Sequence, residues 1–249
     1  MAEIASRAPA HGGVPRPGDR PRYALARAAG AAILGTAGLV VYNWWLLVPF
    51  RPGLMTSPSE LFSNLEVTGQ PYAALMQRAD LASGLLLLAA FGLSGPGRGR
   101  PGRREWLSML GFAAAGALGG LFPEVCADGI NAVCRRLEYH FQLPAAQYAH
   151  MAAGIGEFAA VTIGLLCAAA RTKGSRSGFA RLYRGLVRGA VIAYPLLGAA
   201  YITDRLGGIM EAVFFAGFTA MVGTQLAERT SALRSLREAA DSLPALCGS

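Results

Sequence analysis

The chain contains few charged residues, and this shortage restricts the kind of protein it can be. Asp, Glu, Lys and Arg make up 15% of its 249 residues, whereas about 25% is usual for a soluble domain. Hydrophobic residues make up 53%, and the mean hydropathy is +0.36. This composition disfavours a soluble enzyme and favours an integral membrane protein, for which six helices of about 20 residues each would need only about half of the chain.

The basic residues lack the pattern of a nucleic-acid-binding protein. The formal net charge is +8, and 22 of the 23 basic residues are Arg. They lie between apolar segments rather than along one face of a helix, so we expect no nucleic-acid partner. Basic loops beside membrane-spanning helices, compatible with contact to anionic lipids, explain this charge better.

Residues that would mark a cofactor site or a hydrolytic centre are also scarce. Of the three histidines, His11 lies in the N-terminal tail, and His140 and His150 are too few for a three-histidine metal centre. No G-x-S-x-G motif marks a nucleophilic serine, and no C-x-x-C motif marks a thiol-disulfide exchanger. We therefore expect no metal and no cofactor, and the sequence leaves open whether the protein is an enzyme.

Six apolar segments predict an all-α integral membrane protein, a bundle of six transmembrane helices. The segments are approximately residues 28–50, 72–95, 106–122, 145–170, 185–203 and 207–227. We expect the membrane domain to cover residues 28–228. A disordered cytoplasmic tail, residues 1–27, precedes it, and a cytoplasmic tail, residues 229–249, follows it.

The distribution of basic residues predicts the orientation of these spans. The two termini and the loops after the second and fourth spans hold 18 basic residues, whereas the opposite side holds four. By the positive-inside rule both termini lie in the cytoplasm, and the expected location is the bacterial cytoplasmic (inner) membrane. The outward side then consists of loops 51–71 and 123–144 and a short corner at residues 204–205.

Two of the four cysteines lie in the second outward loop. Cys126 and Cys134 are separated by seven residues, and a disulfide is stable on the oxidising side of the membrane. A bridge between them would stabilise the fold by roughly 2–3 kcal/mol. Zinc ligation and free thiols are the alternatives, and the zinc alternative lacks two further ligands.

Ionisable residues inside the predicted spans are the strongest indication of function, because a charge in hydrocarbon is costly. Span two contains Arg78 and Asp80, span four contains His150 and Glu157, and span six contains Glu211. His150 and Glu157 are two helical turns apart, about 10 Å along one face. These residues lie in the outer half of the membrane or near its middle, which predicts a polar pocket that opens outward.

Three interpretations of these intramembrane residues remain open. In the first, Arg78 pairs with a carboxylate such as Glu157 or Glu211, and the charges form a structural network. In the second, Arg78, Asp80, His150, Glu157 and Glu211 bind a ligand. In the third, the acidic side chains relay protons.

Small residues in the third span predict a close helix contact. Gly111, Ala115 and Gly119 recur every four residues, as do Gly116 and Gly120, and this spacing lets two helices approach closely. The contact lies either within the bundle or between two copies of the chain. The expected partners are therefore membrane lipids, together with a second copy of the chain or a membrane complex to which this chain is an accessory subunit.

The succession of these features resembles an uncharacterised family of prokaryotic multi-pass membrane proteins, domain of unknown function 998. The likeness rests on SELFSNLEVTGQP after span one, GALGGLFPEVC at the end of span three and HMAAG at the start of span four. The matching positions are Ser63, Leu65, Phe122, Pro123, His150 and Gly154, and the similar region covers about residues 30–225. The resemblance implies a six-helix bundle with no established activity, and it associates Ser63 with His150.

The sequence favours a membrane protein whose outward pocket binds or handles a lipid or another envelope component. One alternative is an intramembrane hydrolase or transferase acting on an envelope lipid. In that case His150 would act as general base with Asp80 or Glu157, and Ser63 would be a conceivable nucleophile. The other alternative is a small proton-coupled transporter that uses Glu157 and Glu211.

Overall fold

The described part of the chain is entirely helical. The structure, a computed structural model, describes residues 20–50, 60–96, 99–127, 131–203 and 206–241. Within these ranges there are two short 3₁₀ helices, Trp44–Phe50 and Ser63–Glu66, and no β-strand. The α-helices are α1 (Arg20–Tyr42), α2 (Ala73–Ser94), α3 (Gly99–Leu121), α4 (Ala132–Tyr139), α5 (Ala145–Arg171), α6 (Gly178–Thr203) and α7 (Gly207–Asp241). The all-α prediction is confirmed, while the predicted outward corner at residues 204–205 lies outside the described residues.

Four of the described helices are long and apolar enough to cross a membrane. The qualifying segments are Tyr23–Tyr42, Ala73–Ser94, Ala145–Arg171 and Gly207–Ala232, in α1, α2, α5 and α7. Arginines occupy the first two turns of α3 and α6, for example Arg103 and Arg184, and they shorten the uncharged part of each helix. The chain therefore has the helices of a membrane protein, and the six-span arrangement stays a prediction.

The predicted domain boundaries at residues 27 and 228 both lie inside helices, α1 and α7. The helical extensions pack against the end of α2. Arg27 Nε donates to the carbonyl oxygen of Leu93 at 3.0 Å, and Arg229 Nη1 donates to that of Gly95 at 2.9 Å. These arginines satisfy carbonyl groups that a helix end leaves free, so the polar sequence beyond each apolar segment continues the helix.

Glycines allow α2 and α3 to touch backbone to backbone. A Cβ atom at Gly84 of α2 would lie 2.3 Å from the main-chain nitrogen of Ala117. A Cβ atom at Gly120 of α3 would lie 2.3 Å from the main-chain nitrogen of Leu81. The small residues of the third predicted span therefore serve a contact within the chain.

Charged residues at one end of the bundle pair with one another. Arg171 of α5 donates to Glu105 of α3 at 2.8 Å and to Glu228 of α7 at 2.6 Å. The Tyr183 hydroxyl of α6 donates to Glu228 at 2.7 Å, and Arg229 lies 3.6 Å from Glu105. Glu105 is only 2% exposed, and its two arginine partners compensate the burial of its charge.

The end of the first predicted outward loop returns to the bundle and covers the opposite end. We call residues 60–72 the roof segment. Its buried side chains Phe62 and Leu65 belong to an apolar cluster in which Trp45 and Phe215 also pack. Gln77 of α2 donates to the main-chain carbonyl of Glu66 at 2.6 Å. A loop that the sequence places in solvent is therefore part of the core.

A disulfide and a short helix order the second predicted loop. The predicted bond between Cys126 and Cys134 is present, and the side chain of Asn131 caps α4 by accepting a main-chain hydrogen bond of 2.9 Å. Gln147 of α5 accepts a hydrogen bond of 2.8 Å from the Val125 main chain. These contacts attach the loop to the start of α5.

We expect Gly120→Ala to destabilise the protein by about 1–3 kcal/mol, because the new methyl group would meet the backbone of α2, which cannot move aside cheaply. Gly92→Ala is the matched control, because a Cβ atom there meets nothing within 4 Å. The control should be neutral or slightly stabilising, since alanine favours a helix. Thermal unfolding in detergent measures both, and equal midpoints for the two variants would contradict the close contact.

Candidate functional site

A cavity of about 440 Å³ lies beneath the roof segment. Its lining comes from the roof segment and from all six long helices. Its volume is within the range of roughly 300–1,000 Å³ that is usual for small-molecule sites. The cavity is therefore large enough to hold a small ligand or part of a larger one.

Most of the residues singled out from the sequence line this one cavity. They are Ser63 from the roof segment, Asp80 from α2, His150 and Glu157 from α5 and Glu211 from α7. Three separate helices and the roof segment thus bring these side chains together, although they are far apart in the sequence.

Arg78 is the exception among these residues. Its side chain is exposed and it does not line the cavity. Among the described residues, no ion pair joins it to Glu157 or Glu211. The geometry therefore does not favour the structural network that depends on such a pair.

Asp80 is held by an indole and by a second carboxyl group. Trp44 Nε1 donates to Asp80 Oδ1 at 2.8 Å. The side chain of Glu66, from the roof segment, lies within hydrogen-bonding reach of Asp80. Two carboxyl groups can form such a bond only when one of them carries a proton.

His150 is oriented by the end of α3. Its Nδ1 atom lies 3.1 Å from the carbonyl oxygen of Gly119 and 3.0 Å from that of Phe122. A carbonyl oxygen only accepts hydrogen bonds, so Nδ1 carries the hydrogen. The other ring nitrogen, Nε2, lies 3.9 Å from a carboxylate oxygen of Glu124.

Glu211 connects α7 with the roof segment. It accepts a hydrogen bond from the main-chain N–H of Phe62, and the main chain and hydroxyl of Ser63 face the same carboxylate. No hydrogen bond links Ser63 with His150 in the described part of the chain. The predicted pairing of a serine nucleophile with a histidine base is therefore not formed.

Glu157 faces α3 at a glycine. A Cβ atom at Gly116 would lie 2.5 Å from Glu157 Oε1, so the carboxyl group occupies space that a larger residue would fill. Within the described ranges, neither a hydrogen bond nor an ion pair engages this carboxyl group. Glu157 is therefore available to a ligand in the cavity.

Two further polar atoms of the lining lack a partner. The Tyr42 hydroxyl and Glu66 Oε2 are buried, and no hydrogen-bonding group of the described residues satisfies either atom. Tyr42 is 8% exposed and Glu66 is 4% exposed. A buried polar atom without a hydrogen bond is costly, so both positions favour a bound group that supplies one.

Aromatic rings form much of the remaining wall. The lining contains Tyr42, Trp44, Phe112, Phe158, Phe214, Phe215 and Phe218. The ring centroid of Tyr42 lies 5.8 Å from that of Phe112 and 5.7 Å from that of Phe215, both edge to face. The cavity thus combines a group of acidic side chains with a large apolar surface.

A second cavity of about 200 Å³ lies between α5, α6 and α7. Its lining is apolar apart from the hydroxyl of Tyr194. Phe214 and Phe218 line both cavities, so the two spaces share an aromatic wall.

Sequence reasoning missed Tyr42, Trp44 and Glu66. Tyr42 and Trp44 lie within the first apolar segment, and Glu66 lies in a segment expected to be an outward loop. That segment nevertheless carries the apolar residues Leu61, Phe62, Leu65 and Val67, which is unusual for a loop in solvent. This apolar character was the available sign of burial.

Burial raises the pKa of Glu66 well above its usual value of 4.5, and the neighbouring Asp80 raises this pKa further. Glu66 belongs to the roof segment, outside the predicted spans. Its carboxyl group therefore keeps its proton in the folded protein at a pH where the unfolded chain has lost it.

We expect the free energy of unfolding to fall as the pH rises above about 4.5, because the unfolded chain then releases a proton that the folded chain retains. Glu66→Gln preserves the shape of the protonated acid and should reduce this slope. Thermal midpoints measured in detergent between about pH 5 and about pH 8 test the change. An unchanged slope in Glu66→Gln would contradict the assignment.

Comparison with known proteins agrees with the resemblance seen in the sequence. No curated protein and no solved structure matches the chain. One family, described as "Protein of unknown function (DUF998)", matches residues 20–227. The match spans α1 to α6 and most of α7, and includes every residue named above as lining the cavity. The chain therefore belongs to the DUF998 family.

Proposed function

We propose that this protein spans the bacterial inner membrane six times, with both termini in the cytoplasm. We further propose that its outward-facing cavity binds an amphipathic molecule such as a lipid or another envelope component. The proposal combines the predicted topology with the cavity beneath the roof segment. The roof segment and the disulfide-containing loop then lie on the outward side, where a disulfide is stable.

The observation that carries the proposal is the two-part lining of the cavity. One part presents the carboxyl groups of Glu66, Asp80, Glu157 and Glu211, and the other presents seven aromatic rings. A molecule with a polar end and an apolar chain matches both parts. A purely polar solute would leave the aromatic wall in contact with water, and this contact is unfavourable.

Hydrolysis is less well supported than binding. His150 has the orientation that a general base requires, with Nδ1 donating to main-chain carbonyl groups and Nε2 facing Glu124 at 3.9 Å. The candidate nucleophile, Ser63, instead faces Glu211. A base without a positioned nucleophile does not favour acyl transfer.

The predicted orientation leads to a labelling experiment. We expect a membrane-impermeant maleimide to label Gln142→Cys in intact cells, because residue 142 lies in the second predicted outward loop. Lys173→Cys, between α5 and α6, should be labelled only after the membrane is permeabilised. Both substitutions replace exposed residues in a background in which Cys167 and Cys247 are serine, and the reverse pattern would overturn the orientation.

Binding can be measured through Trp44, which lines the cavity. We expect dodecanol brominated in the middle of its chain to quench the fluorescence of a Trp45→Phe, Trp106→Phe double variant in nanodiscs. The quenching should saturate, because the cavity of each protein molecule can hold only a limited number of probe molecules. Quenching that only increases in proportion to the probe would indicate contact with bulk lipid and would contradict the proposal.

The matched control for this measurement uses two glycines. Gly154 lines the cavity and Gly92 does not, and a Cβ atom at either position meets nothing within 4 Å. Gly154→Leu should therefore fill part of the cavity and weaken saturable quenching about tenfold or more, the equivalent of about 1.4 kcal/mol. Gly92→Leu should leave the quenching unchanged.

A further inference from the structure

The polar end of the cavity has an unbalanced set of ionisable groups. Among the described residues, its lining contains the carboxyl groups of Glu66, Asp80, Glu157 and Glu211, but no Arg or Lys. The pairing at the opposite end of the bundle differs, because there Arg171 and Arg229 accompany Glu105. In the described lining, His150 is thus the one basic side chain beside four carboxyl groups, and no Arg or Lys balances them.

We propose that the polar end of the cavity binds an organic ammonium group, the cationic head of the amphipathic ligand. This inference rests on the proposed function and names the class of head group. An ammonium group supplies positive charge and hydrogen-bond donors together, and it accepts no hydrogen bond.

Unsatisfied acceptors in the lining support this assignment independently of the count of acids. Glu66 Oε2 belongs to a side chain that is 4% exposed, and no hydrogen-bond partner reaches it in the described part of the chain. The Glu157 carboxyl group, beside Gly116, also lacks such a partner among the described residues. The Tyr42 hydroxyl, equally unsatisfied, can accept a hydrogen bond as well. All three positions can therefore accept from an N–H donor.

The rings beside these acceptors favour a cation for a second reason. The π faces of Trp, Tyr and Phe attract an ammonium group, and surrounding aromatic rings are a common way to recognise alkylated amines. Tyr42, Trp44, Phe112 and Phe215 line the same space as the acids. Tyr42 contacts Phe112 and Phe215 edge to face, so these rings are already clustered.

Other charged ligands match the lining less well. An anionic head group would meet these carboxyl groups with no compensating Arg or Lys among the described lining residues, and each ionised carboxylate would repel it. A metal ion needs several converging ligand atoms. In the described ranges, no group of three or more His, Cys, Asp or Glu residues is arranged to hold one.

The test compares three probes that share one brominated dodecyl chain and differ only in the head group. The probes are the primary amine, the alcohol and the carboxylate, and quenching of Trp44 in nanodiscs at neutral pH reports their binding. We expect the amine to bind at least tenfold more tightly than the alcohol and the carboxylate to bind most weakly. Nanodiscs of uncharged lipid keep the concentration of each probe at the membrane from depending on lipid charge.

Glu157→Gln removes one unpartnered carboxyl group while keeping its size beside Gly116. We expect this variant to lose most of the preference for the amine over the alcohol, measured as the ratio of the two affinities in the same variant. Glu138→Gln in α4, a residue that does not line the cavity, is the matched control and should keep that preference. The comparison of the three probes with the protein that retains Glu157 does not depend on how well the Glu157→Gln variant folds.

The outcomes separate this inference from the proposed function. Equal saturable binding of the amine and the alcohol would overturn the ammonium assignment, and so would tighter binding of the carboxylate. Either result would still be consistent with a site for an amphipathic molecule. An amine preference that survives in Glu157→Gln would overturn the role of that residue. If none of the three probes gave saturable quenching, the proposed function itself would be contradicted.

Discussion

Burying a carboxyl group among apolar helices is costly unless a partner compensates it, and the two ends of this molecule meet that cost differently. At one end, Arg171 joins Glu105 and Glu228 and thereby connects α3, α5 and α7. The buried charge of Glu105 is thus matched within the chain. At the other end the acids surround a cavity whose described lining contains no Arg or Lys, so protonation or a ligand would have to compensate their burial.

Close backbone contact between α2 and α3 makes the arrangement of acids around the cavity geometrically possible. Gly84 and Gly120 remove the side chains that would separate the two helices, and Asp80 is the neighbour in sequence of Leu81, which Gly120 contacts. Where α3 meets α5, Gly116 leaves the space that the Glu157 carboxyl group occupies. Small residues in α3 therefore do more than allow packing, because they also determine how close the acids of α2 and α5 approach the same space.

Much of the fold and part of the site follow from the sequence, because hydrophobic length and the cost of buried charge act locally. Asp80, His150 and Glu157 were recognisable as unusual residues within apolar segments. The position of Glu66 was not recognisable, because it depends on the roof segment folding back on the bundle through Phe62 and Leu65. The surface position of Arg78 likewise depends on which face of α2 meets its neighbours, and near-uniform hydrophobicity along that helix does not specify the face.

The acids of the cavity divide into those that hold the structure and those that remain free for a ligand. Glu211 is engaged by the main chain of Phe62 and so fastens the roof segment to α7. Asp80 is engaged by Trp44 and Glu66. In the described part of the chain, no hydrogen bond engages Glu157, and the second oxygen of Glu66 has no partner. Because the structural acids already have donors, the binding that we propose depends mainly on Glu157 and Glu66, and these two carboxyl groups come from α5 and from the roof segment. A ligand that bridges them would therefore join the roof segment to the bundle by a contact that the chain does not supply itself.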